Sequence, residues 1–244
     1  MSFLPYNAVV LNDAEALAQE AARQFVALAR ATLETHDRFT VALSGGSTPK
    51  RMYELLAEKP FKDEVDWSKV HIFFGDERMV APDTPESNYF VAVDKLLAHV
   101  PVPDENIFPY VTLGVSAEDA AELYAQELTN FFGGTPTFDL VFLGLGEDGH
   151  TASLFPSHEE MASPSDKLVV AVHDAPKPPP TRLTLTYKTL NAAKNILCLV
   201  GGKGKVDALE RIFKEHEDLP AAKVQPTDGQ LLWLLDKAAA RGLE

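Results

Sequence analysis

Cysteine is almost missing from this chain: one residue, Cys198, stands among 244. An intrachain disulfide is therefore excluded. A thiol inside the apolar run Ile196-Leu197-Cys198-Leu199-Val200 is expected to be buried and inert. Long apolar runs are missing too, and none approaches the roughly 20 residues of a membrane-spanning helix. The opening segment, Met1-Ser2-Phe3-Leu4-Pro5-Tyr6-Asn7, has no cationic start and no signal-type core. These absences point to a soluble protein of a reducing compartment, most simply the cytoplasm, with no membrane partner. Basic charge is scarce as well. The chain has 22 basic and 36 acidic residues, a net charge of −14, and no basic run long enough to form a patch. Nucleic acid is thus not an expected partner. A local cleft can still favour an anion against a distant net charge.

Several catalytic signatures are also absent. There is no His-Glu-x-x-His and no paired cysteine, so no zinc spacing. There is no Gly-x-Ser-x-Gly, which argues against an acyl-serine hydrolase. A zinc site is therefore not expected, and no cofactor is expected.

The patterns present are those of an α/β chain. Leu17, Ala21, Phe25, Leu28 and Ala29 recur at helical spacing, and Asn12 with Glu15 has part of a capping box. Further helices are predicted from Pro49 with Thr48 as cap, from Ser87 through Leu97, over 117–132 and over 203–214, with a short Ala-rich one at the end. Short apolar runs predict strands at 39–44, 70–74, 138–143, 168–172 and 195–200, with Val224 and 231–235 closing the sheet. Residues 182–186 alternate as a half-exposed strand would. The expected fold class is α/β, a mostly parallel sheet with helices on both faces, in one domain.

Three glycine-marked turns follow predicted strands. In an open α/β sheet, ligands bind beyond the carboxyl ends of the strands. Ser44-Gly45-Gly46-Ser47-Thr48-Pro49 opens a helix, whose free N–H groups suit a phosphate; it lacks the Lys-Ser/Thr ending of a Walker loop. Gly75-Asp76-Glu77-Arg78 reads as a charged loop with an arginine fork for phosphate or carboxylate. Gly144-Leu145-Gly146-Glu147-Asp148-Gly149-His150 places His150 at an expected helix start, where the dipole disfavours imidazolium and a neutral ring could accept a proton. This turn also matches Gly-x-Gly-x-x-Gly, with Asp174 after the next strand. Two acidic residues in a pyrophosphate turn argue against a dinucleotide, as does its mid-chain position. Arg182, Lys203 and Lys205, near strand ends, are further candidate phosphate ligands. The roles of His173 and Lys177 stay open.

These motifs together resemble the 6-phosphogluconolactonases of the glucosamine-6-phosphate isomerase/deaminase-like superfamily. The resemblance rests on residues 43–49, on 74–78 with Ser87-Asn88-Tyr89, and on Gly144 through Thr151-Ala152-Ser153-Leu154-Phe155-Pro156. It continues through 182–186 and Leu219-Pro220-Ala221-Ala222. It implies a Rossmann-like sheet and metal-free hydrolysis of a sugar-phosphate lactone. It further implies that His150 activates water, with Asp148 either orienting His150 or binding a sugar hydroxyl. Arg78 would bind substrate or receive oxyanion charge, and Asp76 would bind substrate. Arg182 and Lys205 would hold phosphate, with Lys203 as the alternative lysine. Ser44, Gly45, Gly46 and Ser47 would form the phosphate or oxyanion loop. The sibling deaminases carry Asp-Glu-Tyr where this chain has Asp76-Glu77-Arg78, and an acidic residue at the position of Phe155. A sugar-phosphate sensor domain is the non-enzymatic alternative; it would normally bring a DNA-binding segment. A monomer is expected.

Overall fold

Strand and helix alternate along the computed structural model, which describes residues 2–4, 6–156, 158 and 166–243. Met1 and Pro5 of the N-terminal segment lie outside the described residues. In chain order, β1 (Ser2–Leu4) and β2 (Ala8–Leu11) precede α1 (Ala14–Leu33), β3 (Phe39–Leu43) and α2 (Ser47–Leu56). Next come β4 (Val70–Phe74), β5 (Asp76–Arg78), α3 (Asn88–Lys95) and α4 (Ala117–Phe132). The second half holds β6 (Leu140–Gly144), β7 (Val169–Val172), β8 (Arg182–Leu185), α5 (Tyr187–Leu190), β9 (Asn195–Val200), α6 (Val206–Phe213) and β10 (Gln230–Asp236).

The main sheet runs β1-β2-β10-β9-β6-β3-β4. Only β1 is antiparallel to its neighbour; the other pairs are parallel. Helices cover both faces, so β3 and β6 read as continuous apolar runs rather than alternating ones. Aromatic rings fill the core, with Phe73 stacked on Phe108 at 4.4 Å between centroids and edge-on to Phe138 at 5.3 Å. From β3 the chain moves outward to β4, but β6 returns to the other side of β3 and continues to β9. The order reverses between β3 and β6, which opens a crevice beyond their carboxyl ends.

Cys198 sits in mid-β9, opposite Trp233 of β10 and Leu143 of β6. It is 2% exposed, and burial pushes its thiol well above the usual range. An aromatic disulfide reagent should therefore find no reactive thiol in the native protein and one after denaturation. Rapid native labelling would contradict this packing.

Several expectations need correction. Residues 169–172 and 182–185 do not join the main sheet; with β5 they form a separate antiparallel sheet, β5-β8-β7. The charged segment 76–78 is thus a strand, not a loop. β8 is buried on both sides rather than half-exposed, since the small sheet packs on the main body. β10 does not close the sheet but lies inside it, between β9 and β2, and Val224 lies outside any strand. Asp13, not Asn12, caps α1, accepting from Ala16 N at 2.8 Å. α2 begins at Ser47 with Gly46, not Thr48, as N-cap. The last element is a short 3₁₀ turn, Ala240–Leu243. No described helix is long and apolar enough to cross a membrane.

Candidate active site

The crevice is a cleft of about 310 Å³ lined by the loops after β3, β6 and β9, by β5, and by the segment leading into β8. Each wall has a local cause. Gly46, at φ +100°, turns the chain sharply into α2, a conformation that L side chains rarely adopt. No side chain caps α2, so Ser47 and Thr48 line the cleft with the uncapped end of a helix. The loop is pinned from behind: Tyr53 on α2 donates its hydroxyl to Ser44 O at 2.7 Å and accepts from Ser44 N at 3.1 Å.

Strand geometry separates the charges of β5. Side chains alternate across a strand, so Asp76 and Arg78 line the cleft while Glu77 faces the other way. Buried Glu77 accepts from the backbone N–H of Asn88 (2.7 Å) and Tyr89 (2.8 Å) and from Ser87 Oγ (3.1 Å). It thereby serves the N-terminus of α3, where the helix dipole favours a carboxylate. Asp76, also buried, accepts from Asn88 Nδ2 at 3.0 Å and from Ser153 Oγ at 2.7 Å. Neither Asn88 nor Ser153 carried a role in the sequence reading. Their partners are distant in sequence, and only the folded loops bring them to Asp76.

Register sets Arg78 directly opposite Arg182. Arg78 donates Nη1 to Glu86 O at 2.6 Å, while its buried Nε has no partner among the described residues. Arg182 donates Nε to Pro179 O at 3.0 Å and Nη2 to Lys177 O at 2.9 Å, and its guanidinium lies 5.6 Å from the centre of Phe155. Burial lowers the Arg182 pKa, the Arg78 charge lowers it further, and Asp76 opposes both. Two facing guanidiniums leave a surplus of positive charge that an anion would neutralise.

The third loop holds a histidine–carboxylate pair. His150 Nδ1 lies 2.5 Å from Asp148 Oδ1, and the backbone N–H of His150 reaches the same oxygen at 3.2 Å. Burial works to raise the Asp148 pKa, but the hydrogen bond and charge of His150 outweigh it and hold it at about 2. An ionised carboxylate only accepts, so Nδ1 carries the proton and Nε2 is the ring's free basic site. The expectation of a helix start here is corrected: residues 145–156 contain none, and Asp148 rather than a helix end sets the ring's surroundings. The same fact removes the dinucleotide fingerprint, which needs a helix opening at its glycines. Gly146 is required by contact, because a Cβ there would stand 2.0 Å from His150 Nδ1. Phe155 packs on the imidazole at 4.5 Å between ring centres.

The depressed Asp148 pKa has a consequence for stability. The folded value of about 2 lies below an unfolded value of roughly 3.9. The carboxylate therefore stabilises the fold above about pH 4, and this contribution is lost as pH falls from about 4 toward 2. Asp148→Asn should be less stable than the parent at pH 7, and denaturant titrations should show the gap closing on acidification. A gap independent of pH would contradict the assignment.

Of the lysines, Lys205 lines the cleft and is half-buried, whereas Lys203 is exposed outside it. Asp236 steadies the preceding loop by accepting from Gly202 N at 2.9 Å. Lys177, left open by the sequence, lines the cleft mouth. His173 pairs instead with Glu118 at 2.7 Å and is exposed. The structure therefore gathers Ser44, Gly45, Gly46, Ser47, Asp76, Arg78, His150, Arg182 and Lys205 around one cleft, with Asp148 behind His150.

A parallel α/β sheet with a cationic, histidine-bearing cleft at its switch point defines a class of proteins that hold small anionic substrates beyond the strand ends. A family model described as glucosamine-6-phosphate isomerases/6-phosphogluconolactonase matches residues 12–233, and the chain belongs to that family. It is 40% identical to a 6-phosphogluconolactonase of Nostoc sp., covering 96% of this chain and 97% of that one. It is 42% identical to a 6-phosphogluconolactonase of Rattus norvegicus, covering 84% and 80%. The solved 6-phosphogluconolactonase of Trypanosoma cruzi superposes with a TM-score of 0.87 at 32% identity, covering all of this chain and 98% of the other.

Proposed function

We propose that this chain hydrolyses 6-phospho-D-glucono-1,5-lactone to 6-phospho-D-gluconate, the second step of the oxidative pentose phosphate pathway. The observation that carries the reading is the His150–Asp148 pair opening onto a cleft lined by four cations, Arg78, Arg182, Lys177 and Lys205. The names of the relatives agree with it. A δ-lactone is an activated ester, so a positioned water, a base and an oxyanion site suffice.

His150 Nε2 takes a proton from water as the water oxygen attacks C1. The carbonyl oxygen gains the negative charge, which N–H groups of the Ser44–Ser47 loop or Arg78 receive. Collapse of the tetrahedral intermediate breaks the bond between C1 and the ring oxygen, and the imidazolium returns its proton to that oxygen. The new carboxylic acid then ionises, releasing one proton to solvent. Asp148 holds the ring in the tautomer that this cycle needs. No cofactor or metal enters the scheme. The reading includes a single-domain monomer and a cytoplasmic location, the latter supported by a lone cysteine that leaves no disulfide to form.

The sibling deaminase chemistry needs additional acid–base equipment near the histidine. Phe155, 2% exposed and packed on His150, puts an apolar ring there instead. Parallel assays on the lactone and on glucosamine 6-phosphate separate the two. Faster lactone hydrolysis with no ammonia from the amino sugar is expected; ammonia release would overturn the assignment. Binding without turnover of either would favour a sensor.

A further inference from the structure

We infer that Lys177, on the segment between β7 and β8, supplies the ammonium group that holds the substrate phosphate at the cleft mouth, and that Arg182 positions it. The inference rests on the lactonase reading above and changes how its phosphate is held. The sequence points to Arg182 as a phosphate ligand, but the structure commits much of that guanidinium elsewhere. Of its five N–H donors, those on Nε and Nη2 face the carbonyls of Pro179 (3.0 Å), Lys177 (2.9 Å) and Pro178 (3.4 Å). Arg182 is itself only 4% exposed. It is therefore a buried bracket, and one carbonyl that it grips belongs to Lys177.

The bracket fixes the backbone of a residue whose side chain lines the cleft. Lys177 makes no ion pair among the described residues, and neither does Lys205. Burial lowers the Lys205 pKa, the Glu147 carboxylate opposes that, Lys177 lowers it further and Asp148 raises it. Glu147 and Asp148 offset part of the Lys205 charge, so Lys177 is the lysine of this cleft whose charge a phosphate dianion would pair. Depth gives the orientation. The His150 side chain is 17% exposed, whereas Lys177 is exposed at the mouth. A phosphorylated lactone with its carbonyl at His150 would direct its phosphate, the group farthest along the molecule, outward to Lys177.

The test uses Lys177→Ala and Lys177→Arg in the full chain. Loss of one charge-assisted contact should raise KM for the phosphorylated lactone about tenfold in the alanine variant, with kcat nearly unchanged. The inhibition constant of inorganic phosphate should rise in parallel, and arginine should restore both. Unchanged KM and phosphate inhibition would overturn the inference, as would a fall in kcat at constant KM. If the parent does not accelerate lactone hydrolysis at all, the lactonase reading fails first. Calorimetric titration of inorganic phosphate into parent and Lys177→Ala then decides the role of Lys177 alone: weaker binding by the variant supports it, and equal binding overturns it.

Discussion

Replacing His150 by alanine should cut kcat for lactone hydrolysis by about 10²–10⁴, the range of a positioned general base. The fold should survive, because the imidazole lines a cleft instead of filling the core and its main partner, Asp148, is partly solvated. Circular dichroism of the variant should match the parent closely, with a melt lowered only by loss of the Asp148 pairing, while steady-state proton release falls. KM should change little, since the cations that hold the anion remain. His150→Gln, which keeps most of the volume beside Phe155, should be nearly as impaired, separating proton transfer from packing. A folded alanine variant that turns over within a few-fold of the parent would remove His150 from the mechanism.

Gly146→Ala is expected to be the second most damaging change, although it removes no functional group. The added methyl would stand 2.0 Å from His150 Nδ1, 2.2 Å from Cε1 and 2.6 Å from Asp148 Oδ1. Real Cβ atoms do not approach so closely, so the ring must move away from its carboxylate. A misplacement of about 1 Å in a catalytic group can cost about 10²-fold in rate. The backbone of Gly146 is not in the left-handed region, so alanine adds little local strain. Gly134→Ala is the matched control: a Cβ there meets nothing within 4 Å. The pair of variants should show a large loss of kcat at position 146 and none at 134. Equal activity in both would mean that the His150–Asp148 geometry does not limit the reaction.

What the sequence made legible follows the range of the forces involved. Helix 117–132 is found at its observed bounds because its apolar period, its Ser116 cap and the left-handed Gly133 at its end are all local. The three glycine turns are legible for the same reason, since each comes at or just after the end of a strand. Pairing partners are not local. Nothing near residues 76–78 shows that they pair with 182–184, yet that pairing makes them a strand and turns Asp76 and Arg78 to the same side. The placement of β10 between β9 and β2 likewise depends on contacts across most of the chain. In the site, His150 stands out beside its glycines, but its tautomer rests on Asp148, two residues away, through a turn that the sequence expectation replaced with a helix. Arg182 looks like a ligand in sequence because arginine is the usual phosphate fork. That its Nε and Nη2 donors are taken by the carbonyls of 177–179 becomes visible only once the Lys177–Pro180 segment folds back over it.

The measurement that bears most directly on the account is real-time carbon-13 NMR of freshly generated 6-phosphogluconolactone with a substoichiometric amount of this protein. The C1 signal of the δ-lactone is expected to pass directly into that of the carboxylate, many times faster than in buffer alone and with one proton released per molecule. Decay at the spontaneous rate, with protein that is folded and still binds phosphate, would contradict the assignment of this cleft as a lactonase site.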